Sequence, residues 1–112
     1  MVDEVTPDEV KDKLNNGDEE SDCQIIDIRN PLQFSQGHIP GAENIPMNEL
    51  PEVIGEHDWG DDIVVVCPVG QSSVQAARLI KSYEGIGDAD VASMEGGYEE
   101  WEYELADGTE DE

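Results

Sequence analysis

Apolar residues in this chain gather into short dense runs separated by acidic and turn-forming stretches, and the spacing within each run predicts an element. TPDEVKDKL opens a first helix: Thr6 can cap it, Pro7 fits the first helical position, and Glu9 completes a capping box with Thr6. Asn16 and Gly17 end it, and a polar linker follows. QIIDIR at 24–29 reads as a short buried strand. NPLQFSQGHIPGAENIP, punctuated by three prolines, reads mostly as loop, with a helical turn near 32–35 and a short strand near 43–45. MNELPEVIGE predicts a short, proline-interrupted helix. DIVVVC at 62–67 is a continuous apolar run of the kind buried on both faces of a parallel sheet, and should be the central strand. In QSSVQAARLIKSY, Ala76, Leu79, Ile80 and Tyr83 follow the i, i+3, i+4, i+7 spacing of a helix, Val74 and Ala77 widen the stripe, and Gly85 and Gly87 stop it. DADVASM at 88–94 supplies another strand, Gly96 and Gly97 turn the chain, and YEEWEYEL predicts a final amphipathic helix. Strand and helix alternate, so the expected fold class is α/β, with helices on both faces of one sheet.

Composition adds a constraint. At 112 residues the chain can bury one core, and the expected organisation is a single domain over 1–105 with an acidic, frayed tail over 106–112. Asp and Glu number 29 against 5 Lys and Arg, a net charge of -24, which in a chain without dense apolar runs would predict disorder. Here IIDI, IVVVC and VQAARLI are dense enough to fold around, so the acid belongs on a solvated surface. The acids are spread along the chain rather than blocked in one segment, as expected of a protein adapted to a salt-loaded cytoplasm, where at 1 M the Debye length is about 3 Å. So acidic a chain lacks the Lys and Arg that phosphate contacts require, which argues against a nucleic-acid partner. No apolar run approaches the roughly 20 residues that span a bilayer, and MVDEVTPDEVKDKL lacks the pattern of a secretory signal. The expectation is a soluble cytoplasmic protein with no membrane partner.

The candidate chemistry lies at Cys67. It ends the central strand, where sites in open α/β sheets form, and the helix after it aims free N–H groups back at the cysteine. A thiolate there gains a depressed pKa. Gly70 allows a tight turn; Pro68 has no N–H, which leaves those of Val69, Gly70, Gln71, Ser72 and Ser73, with the two serine hydroxyls, to cradle an anion. From residue types alone, a reactive Cys67 and a buried structural one both remain open. Cys23 lies at the start of its strand and Cys67 at the end of another, a gap of roughly 13 Å, which argues against an intramolecular disulfide. His38 in GHIPGA and His57 in GEHDWG are expected in structural roles. With Cys and His scattered singly, no metal site is expected.

Three motifs then carry a resemblance. IIDIRNPLQFSQGHIPGAENIP, VVVCPVGQSSVQAARLI and MEGGYEEW together resemble the rhodanese family of single-domain, sulfurtransferase-like proteins over nearly the whole chain. The resemblance implies a five-stranded, mostly parallel sheet and a Cys67 that accepts sulfane sulfur and carries it as a persulfide. The donor would be a small sulfane-sulfur anion such as thiosulfate, or a partner protein bearing a persulfide, and a thiophilic acceptor would take the sulfur. No cofactor is implied. Active rhodaneses often place arginines directly after the cysteine and near the loop's end, where this chain has Pro68 and Ser72. Arg29, just past the strand IIDI, can replace the missing cation or serve as scaffold with Asp27. Phosphatases of this fold carry a longer loop with an essential arginine, and no Arg lies between Cys67 and Arg78. The rival expectation is a non-catalytic module that binds a partner or senses sulfane or oxidant through Cys67. The oligomeric state is left open, a monomer being favoured.

Overall fold

The computed structural model describes residues 3–15, 23–57, 59–60, 62–87, 89–103 and 105. Its five strands are β1 (Asp3–Val5), β2 (Cys23–Asp27), β3 (Glu43–Asn44), β4 (Asp62–Val66) and β5 (Asp90–Met94). They form one sheet in the order β1-β5-β4-β2-β3, and every pairing is parallel. All carboxyl ends therefore share one edge. β4 is central as its sequence predicts: Ile63, Val64, Val65 and Val66 are each fully buried, and each such side chain contributes roughly 1.5–3 kcal/mol of burial. Because side chains alternate across a strand, β4 feeds two cores. Ile63, Val65 and Cys67 join Ala76, Ala77 and Ile80 on one face; Val64 and Val66 join Val10, Phe34, Met94 and Trp101 on the other.

Helices cover both faces, as expected: α1 (Pro7–Asn15), α2 (Pro31–Gln36), α3 (Leu50–Val53) and α4 (Ser72–Ser82). The capping box forms, with the Thr6 N–H donating to Glu9 Oε1 at 2.8 Å and the Glu9 N–H donating to Thr6 Oγ1 at 3.1 Å. α4 buries Ala76, Ala77 and Ile80, the stripe its periodicity marks. The helical turn near 32–35 is part of α2, capped by Asn30, whose side chain accepts from the Gln33 N–H. The expected stop at Asn16 and Gly17 and the tail over 106–112 lie outside the described residues.

One expectation fails. YEEWEYEL does not form a helix; a 3-10 turn covers Gly97–Glu100, and Trp101 and Glu102 are irregular. The acids that would line such a helix repel at spacings of three and four. Its aromatic rings are engaged elsewhere: Trp101 is buried in the core and Tyr98 lies under Arg29. The sequence also gives no sign of β1, because two of its three residues are acids and all that identifies it as a strand is backbone pairing of Asp3–Val5 with Ala92–Met94.

Cys23 pairs with Asp62, five residues before Cys67 along β4, a separation of about 16 Å at 3.3 Å per residue. A bridge between Cα atoms needs less than about 7 Å.

Candidate active site

Cys67 follows directly on β4, and its side chain is 1% exposed. The chain then turns back over it. Gly70, at a φ of 89°, lets the turn close so that its N–H points at the Cys67 sulfur, 3.0 Å away. The Ser73 N–H reaches Sγ at 3.3 Å, and the Ser73 hydroxyl lies 3.3 Å from it. Gln71, the residue before α4, offers no side-chain cap. The sulfur takes that place, accepting an N–H from the first turn of the helix. Burial pushes the thiol pKa up, but the Ser73 hydroxyl and N–H, with the N–H groups of Gly70 and Val69, outweigh it and hold the pKa below its usual value.

The Ser73 hydroxyl has a second partner. Ser93 Oγ, fully buried on β5, lies 2.6 Å from it. Against a thiolate, Ser73 can give its one proton to sulfur and accept from Ser93 in turn. Ser93 was missed in the sequence, although a serine at an inward position of an apolar strand is a signal that could have found it.

The turn after β5 clamps the loop from beneath. The Tyr98 N–H donates to the Cys67 carbonyl at 2.9 Å and the Glu99 N–H to the Pro68 carbonyl at 3.1 Å. Gly97 sits so close that an added Cβ would come 2.1 Å from the Cys67 oxygen, and one on Gly70 would come 2.7 Å from the Gly96 nitrogen. The Gly-Gly-Tyr motif is thus the floor of the cysteine loop.

Tyr98 also ties the loop to β2. Its hydroxyl donates to Asp27 Oδ2 at 2.8 Å and accepts the Ile39 N–H at 3.0 Å, while the Arg29 guanidinium lies 3.8 Å over its ring. Burial, first, and the Asp27 charge push the Tyr98 hydroxyl pKa well up, so it stays a donor. Arg29 grips Asp27 through Nε and Nη2 and gives a further Nη2 bond to the Gly37 carbonyl at 2.6 Å. The structure therefore places Arg29 in the frame behind the loop. There Nε and Nη2 already have partners and the side chain is only 11% exposed.

Of the other candidates, Gly70 and Ser73 meet the sulfur directly and the Val69 N–H also turns to it, whereas Gln71 and Ser72 are exposed. His38 is buried, stacked on Phe34 and bonded to the Phe34 carbonyl at 2.7 Å. His57 pairs with Glu43 at 3.3 Å and packs on Trp59. Both are tied into local structure away from Cys67. Among the described residues no cluster of His, Cys, Asp and Glu is arranged to hold a metal, and no helix is long and apolar enough to cross a membrane.

Comparison with known proteins agrees with this geometry. The family description "Rhodanese-like domain" matches residues 6–104. A protein of Pseudomonas aeruginosa named thiosulfate sulfurtransferase GlpE is 35% identical over 97 residues, which are 87% of this chain and 81% of that one. One of the same name from Shewanella oneidensis is 40% identical over 83 residues, 74% of this chain and 79% of that one. The crystal structure of a rhodanese-like domain protein from Staphylococcus aureus superposes with a TM-score of 0.77 at 26% identity, covering 96% of this chain and all of the other.

Proposed function

The chain belongs to the rhodanese-like domain family, and from that premise we propose that it is a sulfurtransferase or sulfur carrier working through a persulfide on Cys67. The observation that carries the reading is the sulfur's setting, a buried thiol whose hydrogen-bond partners favour its anion. In the first step the Cys67 thiolate attacks the outer sulfur of a sulfane donor. With thiosulfate, the sulfur–sulfur bond of the donor breaks, a new one forms to Cys67, and sulfite leaves with the bonding pair. With a persulfide donor the leaving group is the carrier's thiolate.

The persulfide anion that results needs donors beyond those holding Sγ. The N–H groups of Gln71 and Ser72, both in the exposed part of the loop, would serve the outer sulfur, which would stand further from the core. In the second step an acceptor nucleophile, a thiolate or cyanide, takes that sulfur and returns Cys67 as thiolate. Every electron pair is accounted for, and no cofactor is required. The acidic composition supports a salt-rich cytoplasm as the setting.

The test is to incubate the protein with thiosulfate, polysulfide or a persulfide in molar KCl, follow intact mass, and then measure transfer to cyanide, with Cys67→Ser as control. The wild type should gain one sulfur and the variant none. A protein that takes sulfur from no donor is not a sulfurtransferase. One that forms the persulfide and never passes it on would be the sensor or binding module that the arginine-poor loop also suits.

A further inference from the structure

The chain has five cationic residues, Lys11, Lys13, Arg29, Arg78 and Lys81. Arg29 is held by Asp27 and Gly37. Lys81 donates to the Ala89 carbonyl at 2.6 Å, near the opposite edge of the sheet from Cys67. Lys11 lies over the Tyr103 ring. Arg78 is exposed about two turns into α4. Lys13 belongs to the second half of α1, which runs away from the carboxyl edge after β1. The loop itself, Pro68 to Ser72, is uncharged.

Carboxylates stand where a cation would be useful to an anionic donor. Glu99 is joined to the loop through its backbone bond to Pro68, and Glu100 packs against Gly96, the residue that touches Gly70. Glu95 follows β5 at the same edge, and all three are exposed. Behind them Asp8, Glu100 and Glu102 line a cleft of about 170 Å³. On the loop itself the exposed apolar side chain is Val69, at 44%. The surface bonded to the loop, beside the mouth of the thiol site, is thus acidic, with Val69 next to it.

Resting on the sulfur-transfer reading, we propose that the donor is a cysteine persulfide on a basic segment of a partner protein, and that this mouth disfavours small dianions such as thiosulfate. Lysines flanking the persulfide would face Glu95, Glu99 and Glu100, and an apolar neighbour would cover Val69. The exchange balances: the Cys67 thiolate takes the outer sulfur, and the partner's cysteine leaves as thiolate. Charge complementarity of this kind acts chiefly on the rate of encounter, and salt removes it.

The experiment compares three donors: thiosulfate, a synthetic peptide persulfide flanked by lysines, and the same peptide flanked by glutamates. Loading of Cys67 is followed by intact mass at low salt in sucrose, which favours the folded state without screening charge. The lysine peptide should load Cys67 at least about tenfold faster than the glutamate peptide, and the ratio should collapse in molar KCl. Glu95→Lys with Glu99→Lys should reverse the preference. Glu56→Lys with Glu84→Lys makes the same change of charge near Tyr83, which lies about 16 Å along α4 from the loop, and should leave it standing. Circular dichroism of each variant establishes that it is folded. If the glutamate peptide and thiosulfate load Cys67 as fast as the lysine peptide, the inference falls while sulfur transfer stands. If no donor loads Cys67, the transfer reading falls with it.

Discussion

At the scale of single residues, the reactivity of Cys67 depends on hydrogen bonds that its own segment and β5 supply. Removing the Ser73 hydroxyl deletes a bond to a charged sulfur, worth about 1.5–3 kcal/mol, so Ser73→Ala should slow alkylation of Cys67 near neutral pH by about tenfold or more. Ser93→Ala takes away only the partner of that hydroxyl and should cost a few-fold. In both variants the pH midpoint of the alkylation rate should move up from a wild-type value below that of a free cysteine. An unmoved midpoint in Ser73→Ala would show that the backbone N–H groups suffice. The same shift has a consequence for stability. With its folded pKa depressed, Cys67 binds fewer protons folded than unfolded between the two pKa values, so stability rises with pH there. Its contribution is fully present above the unfolded pKa of about 8.5 and lost as pH falls through the folded value. Urea titrations of the wild type and Cys67→Ser should therefore diverge as pH rises through that window. Cys67, Gly70 and Ser73 were legible because their types and spacing sit within one loop. Ser93 and Tyr98 were not, since their partners stand 20 and 71 positions away and only the sheet order brings them together.

At the scale of elements, the site is a junction of three strand ends. β4 delivers the cysteine, β5 the turn beneath it, and β2 the Asp27–Arg29 pair that Tyr98 joins to that turn. Two substitutions separate these supports. Gly97→Ala would place a Cβ 2.1 Å from the Cys67 carbonyl oxygen at a φ of 60°, so the loop must move. It should lower thermal stability and raise the thiol midpoint together. Arg29→Ala leaves Asp27, which is fully buried, without its cation; breaking such a pair costs about 3–5 kcal/mol. Arg29→Lys keeps the charge but not the planar fork that grips both oxygens, and should fall between. If the thiol midpoint is unchanged in a folded Arg29→Lys protein, the frame acts on stability alone. Long apolar runs made β2, β4 and α4 readable. β1 was invisible because it is held by backbone pairing, and the last segment misled because its helical spacing of aromatics serves contacts to Val10 and Arg29 instead.

At the scale of the whole molecule, the acidic surface raises the question of how much salt the fold needs. A surface of 6507 Å² shared among the acids other than the buried Asp27, 28 of the 29, gives about 230 Å² each, a mean spacing of about 15 Å. The Debye length is about 30 Å at 0.01 M and about 8 Å at 0.15 M, so most repulsion at that spacing is screened well below molar salt. The cleft lined by Asp8, Glu100 and Glu102 is different. Its three carboxylates line one small cavity of about 170 Å³, and repulsion between charges that share so small a space is fully screened only as the Debye length falls to about 3 Å near 1 M. Melting temperature should then climb steeply with KCl up to about 0.15 M and more gently to 1 M. Glu100→Gln with Glu102→Gln should flatten the second part and leave the first. Tyr103, whose hydroxyl donates to Asp8, keeps that carboxylate in place in the variant, so the comparison isolates the two glutamates. A second phase that survives the double substitution would assign it to exclusion of salt from the whole surface rather than to this cleft.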